Sequence, residues 1–222
     1  MENKKASGII MALTAGILWG FSGSCGQFMF DNKGMNSNWL VSVRLICAGA
    51  VILLYLLIKD SKAVFAPWKN KRDAADFLFF SICGMTLCQY SYFMAIQHSN
   101  AGVATVMQYM GPAFILVYIC MKAKRKPAMY EAAALFLSIC GTFILATHGD
   151  ITSIALSRPA IFWGIMSAIT LAVYSVHPER IINKYGSLLP VGWAMFIGGI
   201  IICLLYTSSV RQQLRNSGCA DA

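Results

Sequence analysis

The amino-acid sequence predicts an all-α integral membrane protein with seven transmembrane helices, one complete five-helix repeat plus the first two helices of an inverted second repeat. Three observations predict it. Long apolar runs follow one another along the chain, clusters of Lys and Arg separate them, and short motifs of the first two runs recur in the last two. Composition agrees: 58% of residues are hydrophobic and 12% charged, whereas a soluble domain carries about 25% charge. Mean hydropathy is +0.62. The net charge of +9 would suit a nucleic acid if it were gathered on one face. It is divided into short clusters between apolar runs, a topological signal. The implied partner is therefore the lipid bilayer, and no nucleic acid.

The first crossing spans Ala6 to Phe30, after a short start that carries Lys4 and Lys5. Its length, and the lack of a small-residue cleavage site before a polar region, argue against a cleaved signal peptide. Gly16 and Gly20 form a GxxxG pair, which lets helices approach closely. The second crossing, Trp39 to Ile58, follows a polar loop over 31–38. Arg44 lies five residues past Trp39, about 7–8 Å into the span at about 1.5 Å per residue. Two readings of Arg44 stay open: it snorkels to the interface, or it is a cation facing a cavity.

Residues 59–73 form a basic connection with Lys59, Lys62, Lys69, Lys71 and Arg72. The third crossing, Ala74 to Ile96, carries Gln89, Tyr92 and Ile96 on one face. A tight Ser99-Asn100-Ala101-Gly102 turn leads into the fourth. That run is uncharged from Val103 to Met121 and stops at Lys122, Lys124, Arg125 and Lys126. Thr105, Gln108 and Pro112 fall on one helical face. Polar groups and a proline in hydrocarbon belong against protein or a water-filled space, so this face points inward. The fifth crossing, Pro127 to Thr147, has Glu131 near its start, where a carboxylate meets Lys124 or Arg125 and the positive helix end.

A polar loop, His148 to Ser157, precedes the sixth crossing, Arg158 to Ile181. Trp163, Ser167, Thr170 and Tyr174 make a stripe along it. The stripe is either helix packing, since Ser and Thr bond their own backbone carbonyls, or a pore lining; the aromatic ends favour the pore. His177 has no second His or carboxylate spaced to join it as a metal or proton site. The seventh crossing is Leu188 to Tyr206, and residues 207–222 read as a polar tail. Seven of the eight cysteines lie inside apolar runs without a CxxC pair. They read as small packing residues, and no metal or cofactor is implied.

Charge orients the chain. With the N-terminus inside, thirteen Lys and Arg fall on the inner side, and Lys33, Arg44 and Arg158 on the outer. The positive-inside rule then places the N-terminus in the cytoplasm, with Arg211 and Arg215 of the tail as the one breach. Ile17-Leu18-Trp19-Gly20 recurs as Ile161-Phe162-Trp163-Gly164, and Ala48 to Tyr55 resembles Gly199 to Tyr206. A five-helix offset inverts the second copy, and inverted repeats with a site between them mark secondary transporters. The units are residues 1–150, 158–206 and the tail.

These residues bring a family into view. Trp19-Gly20, Arg44-Leu45, the run Tyr92 to Tyr118, Gly141-Thr142-Phe143 and Phe162-Trp163-Gly164 resemble the drug/metabolite transporter superfamily, EamA type, over about residues 8 to 206. The resemblance implies a ten-helix carrier of two inverted five-helix repeats around a central cavity, moving amino acids, other metabolites or drugs. Two departures stand out. Lys124-Arg125-Lys126-Pro127 replaces the Gly-Glu pair of the family's helix four–five junction, and helices eight to ten are missing. The expectation is an incomplete carrier with little or no transport unless a second copy or a completing partner chain joins it.

The helical stripes make Trp19, Gln89, Tyr92, Gln108, Trp163, Ser167, Thr170 and Tyr174 the candidate substrate cavity, with Arg44 as its candidate cation. Transport of a small organic molecule by alternating access in the cell membrane is the leading reading. A seven-helix receptor fits the helix count but neither the inverted repeat nor an inside N-terminus. An enzyme would need a catalytic group in the spans, and the sequence offers none. No mid-membrane carboxylate is present to carry a proton, so a facilitator is as well supported as proton exchange.

Overall fold

Apolar runs fold as helices in a bilayer because hydrocarbon leaves each backbone N–H and C=O to be satisfied within the chain. The structure, a computed structural model, describes residues 2–147 and 157–218. Among the described residues every element is helical. Six helical spans are long and apolar enough to cross a membrane: Ser7–Lys33, Ser37–Lys69, Lys71–His98, Ala101–Lys122, Arg158–Val176 and Leu188–Ser208. The expected loop over His148–Ser157 falls, for residues 148–156, outside the described residues, as do residues 219–222 of the expected tail.

Helix α1 (Glu2–Lys33) turns apolar side chains such as Ile17 and Phe21 outward, as a lipid-facing helix does. Asn36 caps α2 (Ser37–Phe65), accepting from the Asn38 N–H. The second helix outlasts its expected end at Ile58. Asp60 leaves helical geometry, and its carboxylate accepts from the Lys62 and Ala63 N–H groups at 3.0 and 3.2 Å. The chain thus kinks and restarts with a fresh cap, so the basic connection begins as helix and ends in a 3-10 turn, Ala66–Lys69.

The third span is three segments: α3 (Lys71–Phe79), a wider π turn (Phe80–Thr86) and α4 (Leu87–His98). Within the π turn the Thr86 hydroxyl donates to the Ser81 carbonyl at 2.6 Å, and Ser81 donates to the Phe77 carbonyl at 2.6 Å. Hydroxyls thereby occupy carbonyls that the wider winding displaces. The fourth span is broken too, into α5 (Ala101–Gln108) and α6 (Gly111–Lys122), with Tyr109 and Met110 between them. Pro112 explains the break: it has no N–H to offer the carbonyl four residues back, and its ring crowds that carbonyl.

Helix α7 (Met129–Thr147) follows. Then come α8 (Arg158–Val176) and α9 (Glu179–Tyr185), where the sequence reading had one helix to Ile181. Pro178 separates them, since a helix rarely continues through the residue before proline. Helix α10 (Leu188–Gly218) passes the expected end at Tyr206, so the first part of the expected tail is helical.

Two helix pairings dominate the packing, α2 with α10 and α4 with α8. The first is close because Gly49 has no side chain: a Cβ there would lie 2.5 Å from the Phe196 backbone nitrogen. The core between these layers includes Val41, Leu45, Phe77, Phe80, Phe93, Ile96 and Ile181, each almost fully buried.

Candidate functional site

A cavity of about 640 Å³ opens where α1, α4 and the broken α5–α6 span meet. The turn before α5 sets its rim. Ser99 donates to the Ala95 carbonyl at 2.6 Å, and Asn100 caps α5 by accepting from the Val103 N–H at 2.8 Å. Gln27 of α1 accepts from the Ala101 N–H at 2.9 Å, which ties the C-terminal part of α1 to this turn. Across the molecule, Ser157 donates to the His98 carbonyl at 3.1 Å. One short polar turn thus joins α1, α4, α5 and the start of α8.

The cavity wall is apolar with a few polar groups at fixed points. Trp19 meets Tyr92 edge to face, with centroids 6.4 Å apart. The Tyr92 hydroxyl lies 3.0 Å from the Thr105 hydroxyl, and Thr105 donates to the Ala101 carbonyl at 2.6 Å. Gln108 sits deeper, mostly buried, with its amide nitrogen 3.8 Å from the Cys88 sulfur. Gln108, Tyr109 and Pro112 all line the cavity, so the break in the fourth span lies on its wall. Leu171 brings α8 to the same wall. Such a mix of apolar surface and a few placed polar groups is what small-molecule sites present.

The structure brings three of the sequence-derived candidates, Trp19, Tyr92 and Gln108, to this wall. The others lie elsewhere. Ser167 and Thr170 are buried in the α4–α8 seam, where Ser167 donates to the Gly164 carbonyl at 2.8 Å. Thr170 donates to the Met166 carbonyl at 2.8 Å and lies 3.3 Å from the Ser91 hydroxyl. Trp163 meets Tyr90 edge to face at 5.4 Å, and Tyr174 stacks on Phe80 at 5.5 Å. Gln89 is partly buried on α4, off the cavity wall. Arg44 donates to the Ser22 hydroxyl at 2.5 Å and lies over the Phe93 ring, 5.2 Å from its centroid.

Sequence reasoning left Tyr109, Gly16, Gly20 and Leu171 off the candidate wall. Two signals pointed to part of it: Thr105 and Pro112 share the Gln108 face, and Gly16 and Gly20 flank Trp19 at one-turn spacing.

A second polar constellation closes one end of the bundle. Asp73, in the first turn of α3, is fully buried. It accepts from Arg180, from Lys184 at 2.5 Å and from the Tyr185 hydroxyl at 2.8 Å. Arg180 also pairs with Asp76 at 2.9 Å. The Asp73 carboxylate, accepting from Lys184, holds that ammonium above the usual lysine range. Helix α9 is thereby clamped to α3.

A helical membrane chain with a broken span on a cavity wall points to a carrier family, and residues 6–147 match the EamA-like transporter family. The chain belongs to that family. It is a family of transporters, not enzymes. The chain is similar to YicL of Salmonella typhimurium (strain LT2), an inner membrane transporter that is itself uncharacterized, with 37% identity over 199 residues. That match covers 90% of the chain and 66% of the relative. An uncharacterized transporter of Clostridium kluyveri is 24% identical over 210 residues, covering 92% of the chain and 66% of its own length. The chain therefore spans 66% of the length of each relative. No solved structure matches it.

Proposed function

We propose that this chain carries a small organic molecule, an amino acid, another metabolite or a drug, across the cell membrane by alternating access. The observation that carries the reading is the cavity of about 640 Å³, a size that suits such a ligand. Trp19 and Tyr92 offer aromatic faces to an apolar body, and Thr105 and Gln108 offer hydrogen bonds to one or two polar groups. Gln89, Trp163, Ser167, Thr170 and Tyr174, with Arg44 as the cation, belong in this proposal to the half of the path that is closed here. Opening the α4–α8 seam would expose those on α4 and α8, and parting α1 from α2 would expose Arg44.

The proposal includes seven crossings, with α7 as the fifth. Its 19 residues reach about 28 Å at about 1.5 Å per residue, close to the hydrocarbon thickness of about 30 Å. It also includes an inverted repeat, in which α1 and α8, and α2 and α10, are counterparts. The recurring Trp-Gly pair and the close packing of α2 on α10 support it.

The test is counterflow of labelled amino acids and organic cations by the purified chain in liposomes. Saturable exchange of one class is expected once a second copy or a partner chain joins it, with little or none from the chain alone. Gln108→Ala should alter selectivity or raise KM about ten-fold or more, the effect of losing a buried polar contact to substrate. Unchanged selectivity in Gln108→Ala would remove Gln108 from the site. Absence of exchange for every class, from the paired form as well as from the chain alone, would overturn the carrier reading for this chain.

A further inference from the structure

Away from the cavity, α6 and α7 diverge at their basic ends and leave a groove of about 490 Å³. Leu116, Val117, Cys120 and Leu135 make its apolar wall, and Lys124, Arg125 and Lys126 stand at its mouth. The span Ala101–Lys122 ends beside them, so the mouth sits at headgroup level and the wall at acyl-chain level.

The charges at the mouth are unequal. Arg125 is committed to Glu131, each of its terminal nitrogens donating to a carboxylate oxygen at 2.7 Å. Lys124 and Lys126 are exposed, and among the described residues no carboxylate pairs with them. Positive charge is therefore left over where a phosphate would lie. The backbone adds an independent observation. Lys124 has φ +49° at the end of α6, and the Arg125 N–H reaches back to the Cys120 carbonyl at 3.0 Å. This helix ending favours glycine at the left-handed position. A lysine there keeps an ammonium at the groove mouth against the backbone's preference.

We propose that this groove is a binding site for one anionic phospholipid, with an acyl chain along Leu116, Val117, Cys120 and Leu135 and the phosphate held by Lys124 and Lys126. Basic pockets between membrane helices favour anionic headgroups. The apolar wall makes the occupant a lipid and not a free phosphate. The site is separate from the cavity, so it stands or falls independently of the transport reading.

The experiment titrates the purified chain in neutral detergent with phosphatidylglycerol, phosphatidylcholine of the same acyl chains, or inorganic phosphate. Bound molecules are counted by native mass spectrometry and the unfolding midpoint is followed in parallel. Phosphatidylglycerol should bind in preference to phosphatidylcholine and raise the midpoint, and phosphate should do neither. Lys124→Gly relieves the left-handed strain, so it should leave the lipid-free midpoint unchanged or higher while weakening phosphatidylglycerol about five-fold, the effect of one lysine near an anionic headgroup. Adding Lys126→Gln should weaken it further. Equal retention of the two lipids, an undiminished preference in Lys124→Gly, or reproduction of the shift by phosphate alone would each overturn the site. So would a stable dimer in which crosslinks across Leu116 and Leu135 show the groove covered by a second copy.

Discussion

Asp73 has no exposed surface, while its partners Arg180 and Lys184 are 41% and 50% exposed. This asymmetry decides what each substitution does. Arg180→Gln with Lys184→Gln leaves an ionised carboxylate buried with only the Tyr185 hydroxyl to meet it, the expensive way to break a buried pair. Asp73→Asn leaves Arg180 on Asp76 and Lys184 free to turn to water, where exposed pairs are worth little. The double variant should therefore lower the unfolding midpoint by a few degrees, and by more than Asp73→Asn does. The opposite order in a thermal melt of the purified chain would remove Asp73 as the anchor of the clamp. Because Lys184 is held above its ordinary range, its share of this stability is fully present below about pH 10 and is lost only as pH rises through the raised value. The clamp could not be read from the sequence. Asp73 lies 107 positions from Arg180, and Arg180 and Lys184 read there only as topological charge.

Among the elements, the α2–α10 pair is close because glycines, Gly49, Gly192 and Gly199, leave no side chain between the helices. A methyl on Gly49 would meet the Phe196 nitrogen at 2.5 Å and its Cα at 2.8 Å, both backbone atoms that cannot swing aside. Gly49→Ala should destabilise the chain by about 1–3 kcal/mol, the scale of overpacking. Gly8→Ala, with open space around its Cβ inside helix α1, should not destabilise the chain and should raise its stability by up to about 1 kcal/mol. Equal unfolding midpoints for the two variants in detergent would show that the helices part to admit a methyl. The spans themselves were legible, because hydropathy reports burial in lipid directly. Their interruptions were less so. Pro112 signalled the break between α5 and α6 only as a residue that belongs inside. The π turn over Phe80–Thr86 rests on two hydroxyl-to-carbonyl bonds that any buried Ser or Thr could make without it. The α8 stripe split for a related reason. Spacing places Ser167 and Thr170 on one face, but that face meets α4, and their hydroxyls are satisfied by their own helix. On the cavity wall, Trp19, Tyr92 and Gln108 were legible because each stands out from an apolar helix, whereas Gly16, Gly20 and Leu171 do not.

For the whole molecule, orientation follows from where the charge lies once the helices are in place. Lys69 is exposed at the junction of the second and third spans, and Asn32 is exposed at the end of the first. Charged side chains cross hydrocarbon reluctantly, and loops rich in Lys and Arg stay in the cytoplasm. With the seven crossings proposed above, the basic ends of α2, α6 and α9 would share one side, with Asn32 on the other. The Asp73 clamp supports that grouping, since it brings Arg180 and Lys184 of α9 to the start of α3 beside Lys69 and Arg72. The charge balance leaves Lys33 and Arg158 on the second side, and the Ser157 to His98 contact holds the start of α8 near the rim of the cavity there. In a chain whose native cysteines are replaced by serine, Asn32→Cys should react with a membrane-impermeant maleimide added to whole cells. Lys69→Cys should react only after the membrane is opened. The reverse pattern would place the N-terminus outside and turn the basic groove between α6 and α7 toward the opposite leaflet.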